Sequence, residues 1–346
     1  MIEQSNAKIG VYVKKWNPKP NHILKLSKLD IDIFEYGGKQ KLIARIWNKL
    51  AGKSNINVVS KFQPDLAIIN VVNNLDIPAL RYRKTLELEN IPYIVVVHLA
   101  HELFWKNDEL LSSFREFYQK AIRVFFVSEH NWMLTEKQLA VKLNNASIVR
   151  NPYNCSGKYV LYPKTSADED SYKLAVVARL SCLHKGHDIL FEVLKQTKWK
   201  LRNIEITLYG KGENEQMLRK LKELYGLVSV MFGSYHNNID ELWKNHHALV
   251  LPSRMEGLPL ATVEAMLCGR VVICTNVGGA KEIIEDNRTG FLAETPTVYH
   301  LDEALERAWN KRSEWERIGI EARNSIRAIL PKIPAQKFAE EIIKLS

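Results

Sequence analysis

Two carboxylates with seven residues between them, Glu256 and Glu264, lie in the segment Pro252-Ser253-Arg254-Met255-Glu256-Gly257-Leu258-Pro259-Leu260-Ala261-Thr262-Val263-Glu264-Ala265-Met266. An apolar run ending at Leu251 precedes it, so the pattern predicts a strand, a loop and a helix. Glu256 then sits on the loop, where a carboxylate can accept hydrogen bonds from sugar hydroxyls. Glu264 sits two helical turns on, where one can bind both hydroxyls of a ribose. Gly257 lets backbone approach a ligand without a side chain in the way. Leu258 leads into a helix start whose free N–H groups suit an anion. Two acids at this spacing alone are most often solvent-facing; the glycine, the proline and the strand–loop–helix context make these specific. Two cations, Arg179 and Lys185, follow another apolar run. A forked guanidinium and a point-charge ammonium can together bind an anion. Taken alone, they are more often a pair of surface charges beside a strand end.

These residues need elements to hold them. Short apolar runs alternate with amphipathic stretches along the chain. Lys8 to Val13, Ile31 to Tyr36, Leu66 to Val71, Tyr93 to Val97 and Val124 to Val127 read as strands, with helices such as Lys41 to Leu50 and Glu109 to Lys120 between them. Asn151 to Ser171 breaks the rhythm with Pro152, Gly157, Pro163 and a polar run, and reads as a linker. Alternation then resumes. Strands are expected at Lys173 to Ala178, Ile204 to Tyr209, Val228 to Phe232, Ala248 to Leu251 and Val271 to Cys274. Helices are expected at His187 to Gln196, Glu215 to Leu224, Leu260 to Leu267, Leu301 to Ile318 and Ala335 to Leu345. The expected fold is α/β: two Rossmann-like, doubly wound domains, 1–155 and 171–325, facing each other across a cleft. A last helix in 326–346 is expected to pack back on the first domain.

Glu256 and Glu264 resemble the E-x7-E signature of the retaining family 4 glycosyltransferases, of the two-domain GT-B type. Gly269-Arg270-Val271-Val272, Val277-Gly278-Gly279-Ala280-Lys281-Glu282-Ile283-Ile284 and Thr289-Gly290-Phe291-Leu292 are similar to the stretch that follows it in that family. Ala178-Arg179-Leu180 with Lys185-Gly186 looks like its diphosphate clamp, and Tyr209-Gly210-Lys211-Gly212 like its second glycine turn. The similarity covers roughly residues 173 to 293. It implies a nucleotide diphosphate sugar as donor, with a uridine diphosphate hexose such as UDP-glucose foremost, and a saccharide or lipid-linked saccharide as acceptor. It also implies retention of anomeric configuration, cations in place of a metal, and no cofactor. By the same resemblance His98, at the end of the strand Tyr93 to Val97, contacts the donor sugar, with His101 as the second choice. Where the family opens with a Gly-Gly loop, this chain has Val13-Lys14-Lys15-Trp16-Asn17-Pro18-Lys19-Pro20. Lys14, Lys15 and Trp16 are candidates for an acceptor or anion contact, or simply a surface loop.

Other patterns are excluded. Tyr209-Gly210-Lys211-Gly212 lacks the third glycine of a dinucleotide fingerprint, since Glu215 stands there, so a tight turn into a helix is expected. His101-Glu102 has no second histidine, with Trp105 at the required position, and is not a zinc protease motif. Asp30-Ile31-Asp32 points two acids to one side of a strand. Cys155, Cys182, Cys268 and Cys274 show no zinc spacing and read as scattered buried thiols suited to a reducing cytoplasm.

The net charge of +10 is concentrated in residues 1 to 60, which carry eleven Lys or Arg against four Asp or Glu. That excess suits an anionic partner or a solvated face. In Lys41 to Leu50 the apolar and basic residues sort onto separate faces, which fits peripheral contact with a membrane and equally fits a helix packed on its own sheet, the reading favoured here. No run approaches the about 20 apolar residues of a membrane span, and a cytoplasmic protein, at most peripheral at the membrane's inner face, is expected. Two rivals remain: a sugar-nucleotide epimerase of the same shape, and a non-catalytic binder of polyanions or nucleic acid. The latter lacks an aromatic-interleaved basic motif, so no nucleic-acid partner is expected.

Overall fold

The computed structural model describes residues 9–14, 31–36, 62–163, 171–233 and 238–345. β1 (Ile9–Lys14) and β2 (Ile31–Tyr36) pair in parallel, Ile9 opposite Ile31 and Lys14 opposite Tyr36. β3 (Ala67–Val71), β4 (Tyr93–Val97), β5 (Arg123–Phe126) and β6 (Ala146–Ile148) form a parallel sheet in that order. All five residues of β4 are buried, as a β-branched run is when helices cover both faces of a sheet. α1 (Ile77–Leu88), α2 (Asp108–Gln119) and α3 (Glu129–Leu139) alternate with these strands. Asn107 caps α2 by accepting the Leu110 N–H, and Ser128 caps α3 by accepting that of Asn131. Leu111, Phe114, Phe117 and Tyr118 turn one face of α2 to the sheet, where Phe117 stacks on Tyr93 with ring centres 5.8 Å apart.

The second parallel sheet holds β7 (Tyr172–Val177), β8 (Ile204–Tyr209), β9 (Val230–Gly233), β10 (Ala248–Leu251), β11 (Val271–Thr275) and β12 (Phe291–Ala293). Their order is β12-β11-β10-β7-β8-β9. The chain walks outward from β7 to β9, then returns to lay β10 on the other side of β7. At such a reversal the loops leaving the two strands part and open a crevice at their carboxyl ends. α4 (Cys182–Lys185), α5 (His187–Leu194) and α6 (Thr197–Lys200) follow β7, and α7 (Glu215–Tyr225) follows β8. α8 (Ile239–Lys244), α9 (Leu260–Leu267) and α10 (Ala280–Ile283) follow β9, β10 and β11. The expected α/β architecture with two Rossmann-like halves is the observed one.

Sequence and structure part in the last quarter. The helix expected over Leu301 to Ile318 is two: α11 (Val298–Asn310) and α12 (Trp315–Ile329), joined by a single 3-10 turn. Trp315 is the reason. It is buried, its indole N–H donates to the Ala308 carbonyl, and its ring meets Tyr172 edge-on. Burying it there turns the chain between the two helices. β6 escaped the sequence reading because its three residues are too few to show alternation. α13 (Pro334–Ile343) lays Phe338 and Ile342 on Ile94, Val96 and Phe125 of the first sheet. The Phe125 and Phe338 rings meet edge to face at 5.3 Å. Among the described residues no helix is long and apolar enough to cross a membrane.

Arg270, fully buried, ties the irregular segment after β6 to the second sheet. Its guanidinium donates to the carbonyls of Val160 and Leu161 in that segment, and to those of Trp243, His246, Cys268 and Gly269. Removing it orphans several buried acceptors at once. Arg270→Ala is therefore expected to lower the unfolding free energy in urea by more than about 3 kcal/mol; a loss below about 1 kcal/mol contradicts this role. Two histidines give a pH signature. Burial pushes His187 and His247 down from 6.5 to about 4, so each is neutral in the fold. Their contribution is complete above pH 6.5, where the unfolded chain is neutral too. It is lost as pH falls from 6.5 toward 4, because only the unfolded chain then takes up the protons. Urea midpoints should fall through that window, and a midpoint constant from pH 7 to pH 4.5 contradicts the burial of these rings.

Candidate active site

β7 and β10 lie side by side, Leu174 opposite Ala248. Arg179 and Lys185 leave the first strand and Glu256 the second, so both enter the crevice at the strand-order reversal. There Lys185 Nζ is 2.6 Å from Glu256 Oε1, with the side chains 22% and 10% exposed. Ser253 Oγ donates to the same carboxylate oxygen at 2.6 Å. The close approach depends on Gly186. Its φ is +62°, and a Cβ there would stand 1.9 Å from the Pro252 carbonyl oxygen. Further contacts join the two loops. Arg254 forks onto both Asp188 oxygens at 2.7 Å and donates to the Cys182 carbonyl. The N–H groups of Arg254 and Met255 both donate to the His184 carbonyl.

Arg179 is exposed at the rim, its Nη2 3.4 Å from His184 Nδ1. Ser181 Oγ lies 3.2 Å from the same nitrogen and donates to Glu213. Burial, then the neighbouring charges of Arg179 and Lys185, lower the pKa of His184. The imidazole is therefore neutral at pH 7 and adds no repulsion to the two cations. The turn after β8 presses on this loop: a Cβ at Gly210 would stand 2.0 Å from the Ala178 carbonyl oxygen, and one at Gly212 2.3 Å from that of Leu180.

The first sheet meets this loop cluster with its own carboxyl ends. His98 directly follows β4, and its carbonyl oxygen would be 1.9 Å from a Cβ at Gly257. A Cβ at Gly279 would be 2.7 Å from that of Ser128, beyond β5. The His98 ring is half-buried, with Nε2 3.4 Å from Asn70 Oδ1, and burial lowers its pKa, which leaves it neutral at pH 7. His101 spans the two halves. Its Nδ1 accepts the Leu103 N–H, which leaves the proton on Nε2, 3.2 Å from the Arg254 carbonyl oxygen. Glu282 spans them too, accepting from the His130 N–H at 2.9 Å and from Arg150 at 3.2 Å and 3.3 Å.

Lys185 and Glu256 are thus joined directly, and Arg179 approaches them through His184. Glu264 has another partner. It is buried on α9 and accepts the Asn154 N–H at 2.8 Å. Burial raises its pKa, against the pull of that hydrogen bond. Leu258 is core, and no side chain caps the start of α9 beside it. Lys14 closes β1, while Lys15, Trp16, Asp30 and the segment 41–50 lie outside the described residues. His184, Ser253, Arg254 with Asp188, and Glu282 escaped the sequence reading as functional positions. The residues around Glu256 offered a signal for Ser253 and Arg254. Glu282 stood in the stretch Val277 to Ile284 and His184 beside Lys185, but their partners come from distant loops that the sequence does not join. Because a Cβ at Gly257 would collide with backbone, Gly257→Ala should lower the thermal unfolding midpoint by several degrees, about 2 kcal/mol or more of stability. An unchanged midpoint contradicts the contact between the halves.

Residues 161–325 match the family model described as glycosyl transferases group 1. An uncharacterized glycosyltransferase of Methanocaldococcus jannaschii is 30% identical over 221 residues, 62% of this chain and 58% of that protein. This chain therefore spans less than two thirds of that relative's length. Among solved structures, a glycosyltransferase from Rickettsia africae superposes with a TM-score of 0.75 over 98% of each chain, at 16% identity. The Anabaena protein HepE, solved in complex with UDP, superposes with a TM-score of 0.71 over 98% of this chain and 100% of its own, also at 16% identity. Residues 161–325 thus match the group 1 glycosyl transferases, on a chain whose fold is that of the two-domain GT-B glycosyltransferases.

Proposed function

We propose that this chain is a retaining, metal-independent hexosyltransferase of the family 4 type, which moves a hexose from a UDP-sugar such as UDP-glucose to a saccharide or lipid-linked saccharide in glycoconjugate or polysaccharide synthesis. In this reading residues 1–155 form the acceptor domain and residues 171–325 the donor domain. The observation that carries it is the meeting of Lys185 and Glu256 in the crevice between β7 and β10, opposite the end of β4 with His98. The group 1 match over residues 161–325 and the UDP bound by HepE support the choice of donor.

The residues divide the work as follows. Arg179 and Lys185 hold the diphosphate and offset the charge that grows on it as the bond from the sugar C1 to the β-phosphate oxygen breaks. Glu256, with the backbone at Gly257 and Leu258, orients the sugar. Glu264 takes the ribose hydroxyls. Neutral His98 offers hydrogen bonds to the sugar from the facing domain without adding charge. The acceptor hydroxyl oxygen bonds to C1 on the face the phosphate leaves, and its proton passes to the departing β-phosphate oxygen. No side chain is then required as a general base.

Calorimetric titration with UDP tests the donor site. Lys185→Ala and Arg179→Ala should each weaken UDP by about 10–100-fold, the worth of one charge-assisted contact. Unchanged affinity in both variants contradicts the clamp. Proton NMR of the product should show the donor's anomeric configuration retained, and an inverted product contradicts the proposed step.

A further inference from the structure

The four cysteines read from the sequence as scattered thiols, but two of them converge. Cys155 lies in the irregular segment after β6, Cys268 closes α9, and Asp240 is the second residue of α8. The two sulfurs and a carboxylate oxygen all lie within 4.8 Å of one another, and Cys268 Sγ is 3.6 Å from Asp240 Oδ1. A tetrahedral zinc ion holds thiolates at about 2.3 Å and a carboxylate oxygen at about 2.0–2.2 Å, which sets neighbouring ligands roughly 3.5 Å apart. The sulfur–oxygen edge already has that length. Two sulfurs and one oxygen select zinc over magnesium or calcium, which take all-oxygen shells.

The surroundings orient these ligands. The Ser156 N–H donates to both Asp240 oxygens, at 3.3 Å and 3.1 Å, as an outer-shell donor does for a metal-bound carboxylate. Arg323 donates to the carbonyls of Gly157 and Leu267. Those bonds tie the backbone that follows Cys155 to the backbone that precedes Cys268.

We propose that Cys155, Asp240 and Cys268 form a zinc site with its fourth position open to water. The ion ties the segment between the two sheets to the end of α9. Asn154, next to Cys155, donates its N–H to Glu264 on that helix, so the ion also fixes the carboxylate assigned to the ribose. That effect on Glu264 rests on the proposed function; metal binding does not. The transfer step needs no metal in either case.

The full chain, reduced with a phosphine and loaded with Zn2+ or Co2+, provides the test after desalting. Elemental analysis should find about one zinc per chain, and the cobalt form should show thiolate-to-cobalt absorption in the near ultraviolet. In competition with a chromophoric chelator, Cys155→Ser and Asp240→Asn should each weaken zinc by more than about 100-fold, beyond the 10–100-fold that an outer-shell change costs. Both positions are partly exposed, so the variants should keep the far-ultraviolet circular dichroism of the parent. A reduced parent chain that retains no metal overturns the proposal, as does retention unchanged in both variants. Because the readout is metal content, a failed sugar transfer leaves the result standing.

Discussion

The ion pair between Lys185 and Glu256 sets the terms for the rest of the crevice. Two charges largely removed from water are tolerated only when each has a close partner, and here the partners come from loops after adjacent strands whose connections run in opposite directions. The pair forms only because the loops touch, and they touch because Gly186 has no side chain to meet the Pro252 carbonyl. Arg254, forked onto Asp188, holds the same two loops together from outside. One lysine and one glutamate thus record the strand order, the glycine and the loop packing at once.

The same economy of side chains governs the meeting of the two halves. The backbone of Gly257 lies against the His98 carbonyl, and Gly279 against Ser128. Polar bridges flank these contacts: His101 to the Arg254 carbonyl on one side, Glu282 to Arg150 and the His130 N–H on the other. The loop that carries Glu256 is therefore held by both halves. In the proposed reaction this matters for the donor. A diphosphate brings more negative charge than one carboxylate, so Lys185 can exchange Glu256 for phosphate and release that carboxylate toward the sugar hydroxyls. His98 and His184, both neutral at pH 7, leave the phosphates to the lysine and the arginine.

Local pattern made much of this legible in the sequence. β8, β10 and α9 fall where their apolar runs ended, and the loop with Glu256 sits between the latter two as its glycine and proline required. The α/β class followed from alternation alone. What stayed hidden depends on distant meetings. Nothing near Glu264 in the sequence points to Asn154, and nothing near Cys155 points to Cys268 or Asp240. The break between α11 and α12 is set by where Trp315 is buried, a tertiary fact that helical periodicity does not carry. Arg270 stood inside a quoted motif, yet its task of gathering carbonyls from the inter-sheet segment appears only when that segment is in place.

In the proposed function the Lys185–Glu256 pair marks the seat of the donor's diphosphate. A crystal structure of the chain soaked with UDP tests it most directly. The β-phosphate is expected within hydrogen-bonding distance of Lys185 Nζ and the Arg179 guanidinium, with Lys185 drawn away from Glu256. UDP bound elsewhere, with Lys185 still on Glu256, contradicts it.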